Sequence, residues 1–120
     1  MATITSFEEL KCWQLSRKLV KDIYKLTDEL PISKDYALKD QMRRAAISIM
    51  SNIAEGFGRS GNKEFIQFLS IAKGSITELH SQLYIALDCE YLNKEKFDTL
   101  TQKSTQATSA ILKKCRTQRI

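Results

Sequence analysis

One proline, one histidine and four glycines are spread over 120 residues, and each scarcity removes a class of structure. Strands need frequent turns and runs of alternating polarity, and neither is found here, so an all-α fold is predicted. His80 stands alone, with no two carboxylates paired convincingly with it. Neither a Gly-rich phosphate loop nor a Cys/His metal spacing occurs. No enzyme, no metal and no cofactor is therefore expected. Cys12, Cys89 and Cys115 are odd in number and far apart, which fits reduced structural thiols better than a disulfide framework. No stretch approaches the roughly 18 consecutive apolar residues of a membrane span. The opening MATITSFEEL lacks the basic-then-apolar pattern of a signal peptide. A soluble, cytoplasmic protein without membrane association is expected.

What is present is enough apolar material for one domain over residues 1–120: 42% of the chain is hydrophobic and 28% charged. Helical periodicity divides it into four. A first helix over about 7–29 is predicted from a Ser6/Glu9 capping box and the stripe Leu15, Leu19, Ile23, Leu26, with Pro31 as the stop. A second, over about 35–56, carries Leu38, Met42, Ala45, Ile49 and Ile53 and ends where Gly56, Gly58 and Gly61 can take positive φ. A third, over about 63–90, starts at an Asn62 cap and repeats Phe65, Leu69, Ala72, Ile76, Leu79, Leu83 and Ala86, the four-three spacing of a bundle seam. The fourth, over about 94–115, has the weakest stripe: Phe97, Leu100, Ala107 and Ile111, interrupted by Ser104. Short connections favour an antiparallel up-down-up-down four-helix bundle.

That topology places the net charge of +5 in space. The end formed by residues 1–11, 55–64 and 113–120 carries seven Lys/Arg against four acids, and the opposite end, 25–40 and 88–98, five against eight. Between them lie Arg17, Lys18, Lys21, Arg43, Arg44, Lys73 and Lys103 against Asp22 and Glu78. Lys18, Lys21 and Lys25 share one helix face, and Lys113, Lys114, Arg116 and Arg119 fall in an acid-free tail. Clustered cations of this kind can neutralise a nucleic-acid backbone. Solvated helix faces and cations that complement a helix C-terminus are the competing account. Trp13, Tyr24, Tyr36, Tyr84 and Tyr91 are scattered and form no ladder for stacking bases, so binding would be led by the backbone.

The stretch from Gln41 to Phe65, QMRRAAISIMSNIAEGFGRSGNKEF, carries a second pattern. Gln41, Arg44, Ser48, Asn52, Glu55 and Arg59 recur at spacings of three and four and make one polar edge, which Gly74, Ser75 and Glu78 answer on the third helix. Glycine inside a helix costs about 1 kcal/mol relative to alanine, so Gly74 predicts a close helix contact there. The edge suits a helix or subunit interface, with ligand binding as the alternative.

The residues Gln41, Arg43, Arg44, Ala45, Ser48, Ile49, Asn52, Ile53, Ala54, Glu55, Gly56, Gly58 and Arg59 make up a run QxRRAxxSIxxNIAEGxGR. It closely resembles the bacterial four-helix-bundle proteins encoded within 23S rRNA intervening sequences. Phe65, Phe68, Leu69, Ala72, Gly74, Ser75, Glu78, Leu79, Leu83 and Ala86 continue the resemblance into the third helix. That family includes the accessory variability protein of diversity-generating retroelements. The resemblance implies a barrel-shaped homopentamer with affinity for RNA or DNA and, in the retroelement branch, a reverse-transcriptase partner. It leaves two readings: an oligomer that binds nucleic acid through its basic surface, and a protein-interaction scaffold or accessory subunit.

Overall fold

The computed structural model describes residues 3–118. Four helices, α1 (Lys11–Asp28), α2 (Tyr36–Phe57), α3 (Asn62–Asp88) and α4 (Lys94–Gln118), make up almost all of it, with 3-10 turns at Phe7–Glu9 and Ile32–Lys34. No strand occurs among the described residues. α2 packs against α1 and α3, and α4 closes the ring by packing against both α3 and α1. The result is a four-helix bundle 46 Å long and 23 × 19 Å across, a length close to the roughly 40 Å of a helix the size of α3.

All seven residues of the α3 seam, Phe65 to Ala86, are buried. Met42, Ala45, Ile49 and Ile53 of α2 and Leu100, Ala107 and Ile111 of α4 join them in one core. Ser104 sits in that core without cost because its hydroxyl donates to the Leu100 carbonyl at 3.0 Å. On α1 the buried stripe is Cys12, Ser16, Leu19, Ile23, Leu26 and Thr27. Leu15, predicted for the seam, is only half-buried because Cys12 and Ser16 take the inward positions on its turn.

The helix ends differ from the sequence expectation in three places. Ser6 makes no side-chain cap; Glu9 instead accepts from the Thr5 backbone N–H at 2.9 Å, and a short 3-10 turn precedes α1. Asn62 is the first residue of α3, and Gly61 occupies the cap position. Of the three glycines between α2 and α3 that were expected to turn the chain, only Gly61 has positive φ, at +115°. Gly56 lies inside α2, where an added Cβ would come within 2.5 Å of the Phe68 Cβ. The close helix contact expected at Gly74 is found here instead, since a Cβ on Gly74 would meet nothing within 4 Å. Elsewhere, Asp35 caps α2 by accepting from the Leu38 N–H at 3.2 Å and also receives the Tyr91 hydroxyl at 2.9 Å. Asn93 caps α4 by accepting from the Lys96 N–H at 2.8 Å.

Cys12 and Cys115 are buried and Cys89 is exposed. Burial pushes the Cys12 thiol up from 9.0 to about 11. The unfolded chain then loses this proton first, so the stability that the protonated thiol supports below pH 9 is lost as the pH rises towards 11. Titration of the native protein with a thiol reagent near neutral pH is expected to show one fast thiol per chain, Cys89, with the other two appearing on denaturation. Two fast thiols in the native state would contradict the packing of α1 on α4.

Candidate nucleic-acid interface

The outer face of α1 carries Lys11, Gln14, Lys18, Lys21 and Lys25 at helical spacing, with Trp13 and Arg17 on the adjoining row. The 3-10 turn at Phe7–Glu9 folds back against this face. Gln14 Nε2 donates to the Glu8 carbonyl at 2.9 Å, and the Phe7 and Trp13 rings meet edge to face at 5.0 Å. A groove of about 480 Å³ is left, lined by Lys11, Trp13, Arg17, Lys18 and Lys21, with Glu8 as its one carboxylate. Lys11 also lines a second hollow of about 290 Å³, whose other cations are Lys113 and Lys114 of α4 and whose carboxylate is Glu9. Among the described residues, none of Lys11, Arg17, Lys18, Lys21, Lys25, Lys113 and Lys114 pairs with a carboxylate.

Other sequence candidates sit elsewhere. Arg43 does not present its charge to solvent as a phosphate contact would. Its Nε donates to Thr27 Oγ1 at 2.8 Å, its Nη2 pairs with Asp28 at 2.8 Å, and its guanidinium lies 4.2 Å from the centroid of the Tyr24 ring. It is a clasp between α2 and the end of α1. Arg44 is exposed on α2, away from the groove residues, and Arg116 is exposed near the end of α4. Arg119 lies outside the described residues. Lys103 is engaged with Asp22, joining α4 to α1.

The polar edge is only partly assembled. Asn52 Nδ2 donates to the Ser48 carbonyl at 2.8 Å and to Ser48 Oγ at 3.0 Å, and Ser75 Oγ donates to Ser48 Oγ at 2.9 Å, so these three stitch α2 to α3. Glu55 and Arg59 pair with each other at 2.7 Å, and the guanidinium reaches over Phe68. Gln41, Arg44 and Glu78 are exposed and make no ion pair among the described residues. Around them Ile47 and Ile71 stand 43% and 52% exposed, beside the open Gly74.

Sequence reasoning missed Lys11 and Trp13. Counting back seven residues from Lys18 would have found Lys11, as Lys18 and Lys25 are related by the same step. Trp13 gave no such signal, because its place in the groove depends on where the preceding turn folds. His80 packs beside Tyr84 and Phe97, with ring centroids 5.6 and 6.4 Å away. No three of His, Cys, Asp and Glu cluster to hold a metal among the described residues. None of their helices is long and apolar enough to cross a membrane.

Four helices around one core, with a cationic face and a hydrogen-bonded α2–α3 edge, define a small all-α bundle protein. The 23S rRNA-intervening sequence protein family model matches residues 8–113, and the chain belongs to that family. A crystal structure of a protein of unknown function of the S23 ribosomal protein family from Bacteroides thetaiotaomicron is similar to it. The TM-score is 0.78 and the identity 22%, over 87% of this chain and 97% of that one. At that identity the likeness shows the fold. No curated protein matches the chain.

Proposed function

We propose that the protein is a non-enzymatic, self-associating bundle of antiparallel up-down-up-down topology that binds RNA or DNA through backbone contacts, without strong sequence specificity. Lys11 carries this reading: it lines both the α1 groove and the hollow at Lys113 and Lys114, so the cations of two helices form one surface free of internal ion pairs. Phosphate neutralisation needs such a cluster and no base-reading side chain. Gly56–Phe68 and Ser48–Ser75 run in opposite sequence directions on α2 and α3, as do Asp22–Lys103 and the meeting of Cys12 with Lys114 on α1 and α4, and these support the topology.

Exposed Ile47 and Ile71 beside Gly74 support self-association through the α2–α3 side, which leaves the α1 face open. A homopentamer would multiply the +5 of each chain fivefold, and the mass by sedimentation or light scattering tests it. For binding, the logarithm of affinity is expected to fall linearly with the logarithm of salt concentration, by about 0.7 per phosphate contact on a single strand and about 0.9 on a duplex. Reversing Lys18, Lys21 and Lys25 to Glu should weaken binding and flatten that slope. A response to salt that is flat from the start sinks the proposal.

A second reading, a scaffold or accessory subunit for a partner such as a reverse transcriptase, draws support from the opposite end, where Leu30 and Tyr36 are 73% and 64% exposed among acidic residues. A purified partner retained after nuclease treatment, with no nucleic acid bound, would favour it.

A further inference from the structure

Resting on the nucleic-acid reading, we infer that the α1 groove selects single-stranded over duplex nucleic acid by seating one unpaired base on the indole of Trp13. Among the aromatic side chains of the described residues, Trp13 is the one that shares a groove with Lys11, Arg17, Lys18 and Lys21. The indole is only half-buried, and it is braced by the Phe7 ring, whose centroid lies 5.0 Å away at an interplanar angle of 67°. The platform is therefore held in place before any ligand arrives. The indole N–H makes no hydrogen bond among the described residues and is free for a sugar, base or phosphate oxygen.

Arg17 lies 5.8 Å from the indole centroid, at the outer limit of a cation–π contact, so little attraction is lost when a base takes the ring face. Tyr24 offers no second platform, because Arg43 is stacked over it at 4.2 Å. The groove thus has one stacking site, with cations on both sides along α1. From Lys11 to Lys25 the face runs about 21 Å, enough to follow several nucleotides of backbone. A duplex meets the same cations but keeps its bases stacked on each other, and it has no free ring face to give. Stacking on an aromatic side chain is worth about fivefold to 150-fold in affinity per base, which sets the expected margin.

Trp13 is the single tryptophan of the chain, so its emission reports on the site directly. The test titrates the full-length protein at low salt with an oligouridylate of about 15 nucleotides and with an RNA duplex of the same length. Quenching of Trp13 emission by the single strand and at least fivefold weaker duplex binding are expected. Trp13→Leu should lose about tenfold on the single strand and little on the duplex, and Trp13→Phe should keep most of the affinity. If Trp13→Leu loses its helical circular dichroism, the emission change and Trp13→Phe decide the matter. Single-strand binding that is abolished by Lys18→Glu with Lys21→Glu but leaves the emission unchanged, or a duplex bound as tightly, overturns base stacking and leaves the charge reading standing. Binding of neither ligand overturns both.

Discussion

Leu79→Ala is expected to lower the unfolding free energy by about 2–5 kcal/mol. Leu79 is fully buried about two-thirds of the way along α3, between Ile76 and Leu83 of the same seam. α3 faces α2 on one side and α4 on the other, so a cavity opened at this interior position has walls on several helices and little freedom to collapse. Collapse is what moderates such losses near a bundle's ends. For a domain of this size each kcal/mol moves the midpoint by several degrees, so thermal melting followed by circular dichroism should show a drop on the order of 10 °C. Ile85→Ala, on the exposed side of the same helix, is the control and should shift the monomer by less than about 0.5 kcal/mol. Measurements at two protein concentrations separate this effect from any contribution of assembly. Melting of Leu79→Ala near the unsubstituted protein would contradict the seam.

The seam was legible because it depends on one helix alone. Seven apolar residues at unbroken four-three spacing have a single way to face inwards, whatever lies opposite. Leu15 was misjudged for the converse reason: Cys12 and Ser16 carry small, ambiguous side chains, and only the packing of α4 on α1 makes theirs the buried row. Glycine was hardest to read. The pattern around Gly56, Gly58 and Gly61 fits a turn, yet Gly56 answers to Phe68, twelve residues further on in another helix. Local sequence holds the backbone freedom of a glycine and not the identity of what presses against it.

The interface divides along the same line. The row of Lys18, Lys21 and Lys25 follows from spacing within α1 and is found there. Which cations are free does not follow from spacing. Arg43 and Arg44 are neighbours in sequence, but one turns towards Thr27, Asp28 and Tyr24 across the α1–α2 connection while the other faces solvent. In the same way Lys103 is taken by Asp22, while Lys113 and Lys114 come together with Lys11. A charge count over the bundle treats these residues as equal. Their partners, set by the register of one helix against another, make them different.

Gly56→Ala and Gly74→Ala make the same chemical change in two helices and are expected to have opposite signs. At Gly56 the new methyl would lie 2.5 Å from the Phe68 Cβ and 3.2 Å from the Phe65 ring. A Cβ is fixed to its backbone and cannot swing aside, so α2 and α3 must separate locally and loosen the contact of Phe57 with Phe65, whose centroids are 5.9 Å apart. Overpacking of this kind costs about 1–3 kcal/mol, and part of it is offset by the better helix propensity of alanine, at most about 1 kcal/mol. At Gly74 the methyl meets nothing within 4 Å, so propensity acts alone and the monomer should gain about 0.4–1 kcal/mol. Denaturant melts of the two variants check the signs, and a gain at Gly56 would mean that the α2–α3 contact is looser than Phe68 requires. Self-association through the exposed α3 face adds a second outcome at Gly74. If a second copy approaches the bare backbone there, the alanine that stabilises the monomer must also weaken the assembly. Sedimentation of Gly74→Ala should then show dissociation at concentrations where the unsubstituted protein stays associated. An assembly unaffected by that methyl would move the subunit contact away from Ile47, Ile71 and Gly74.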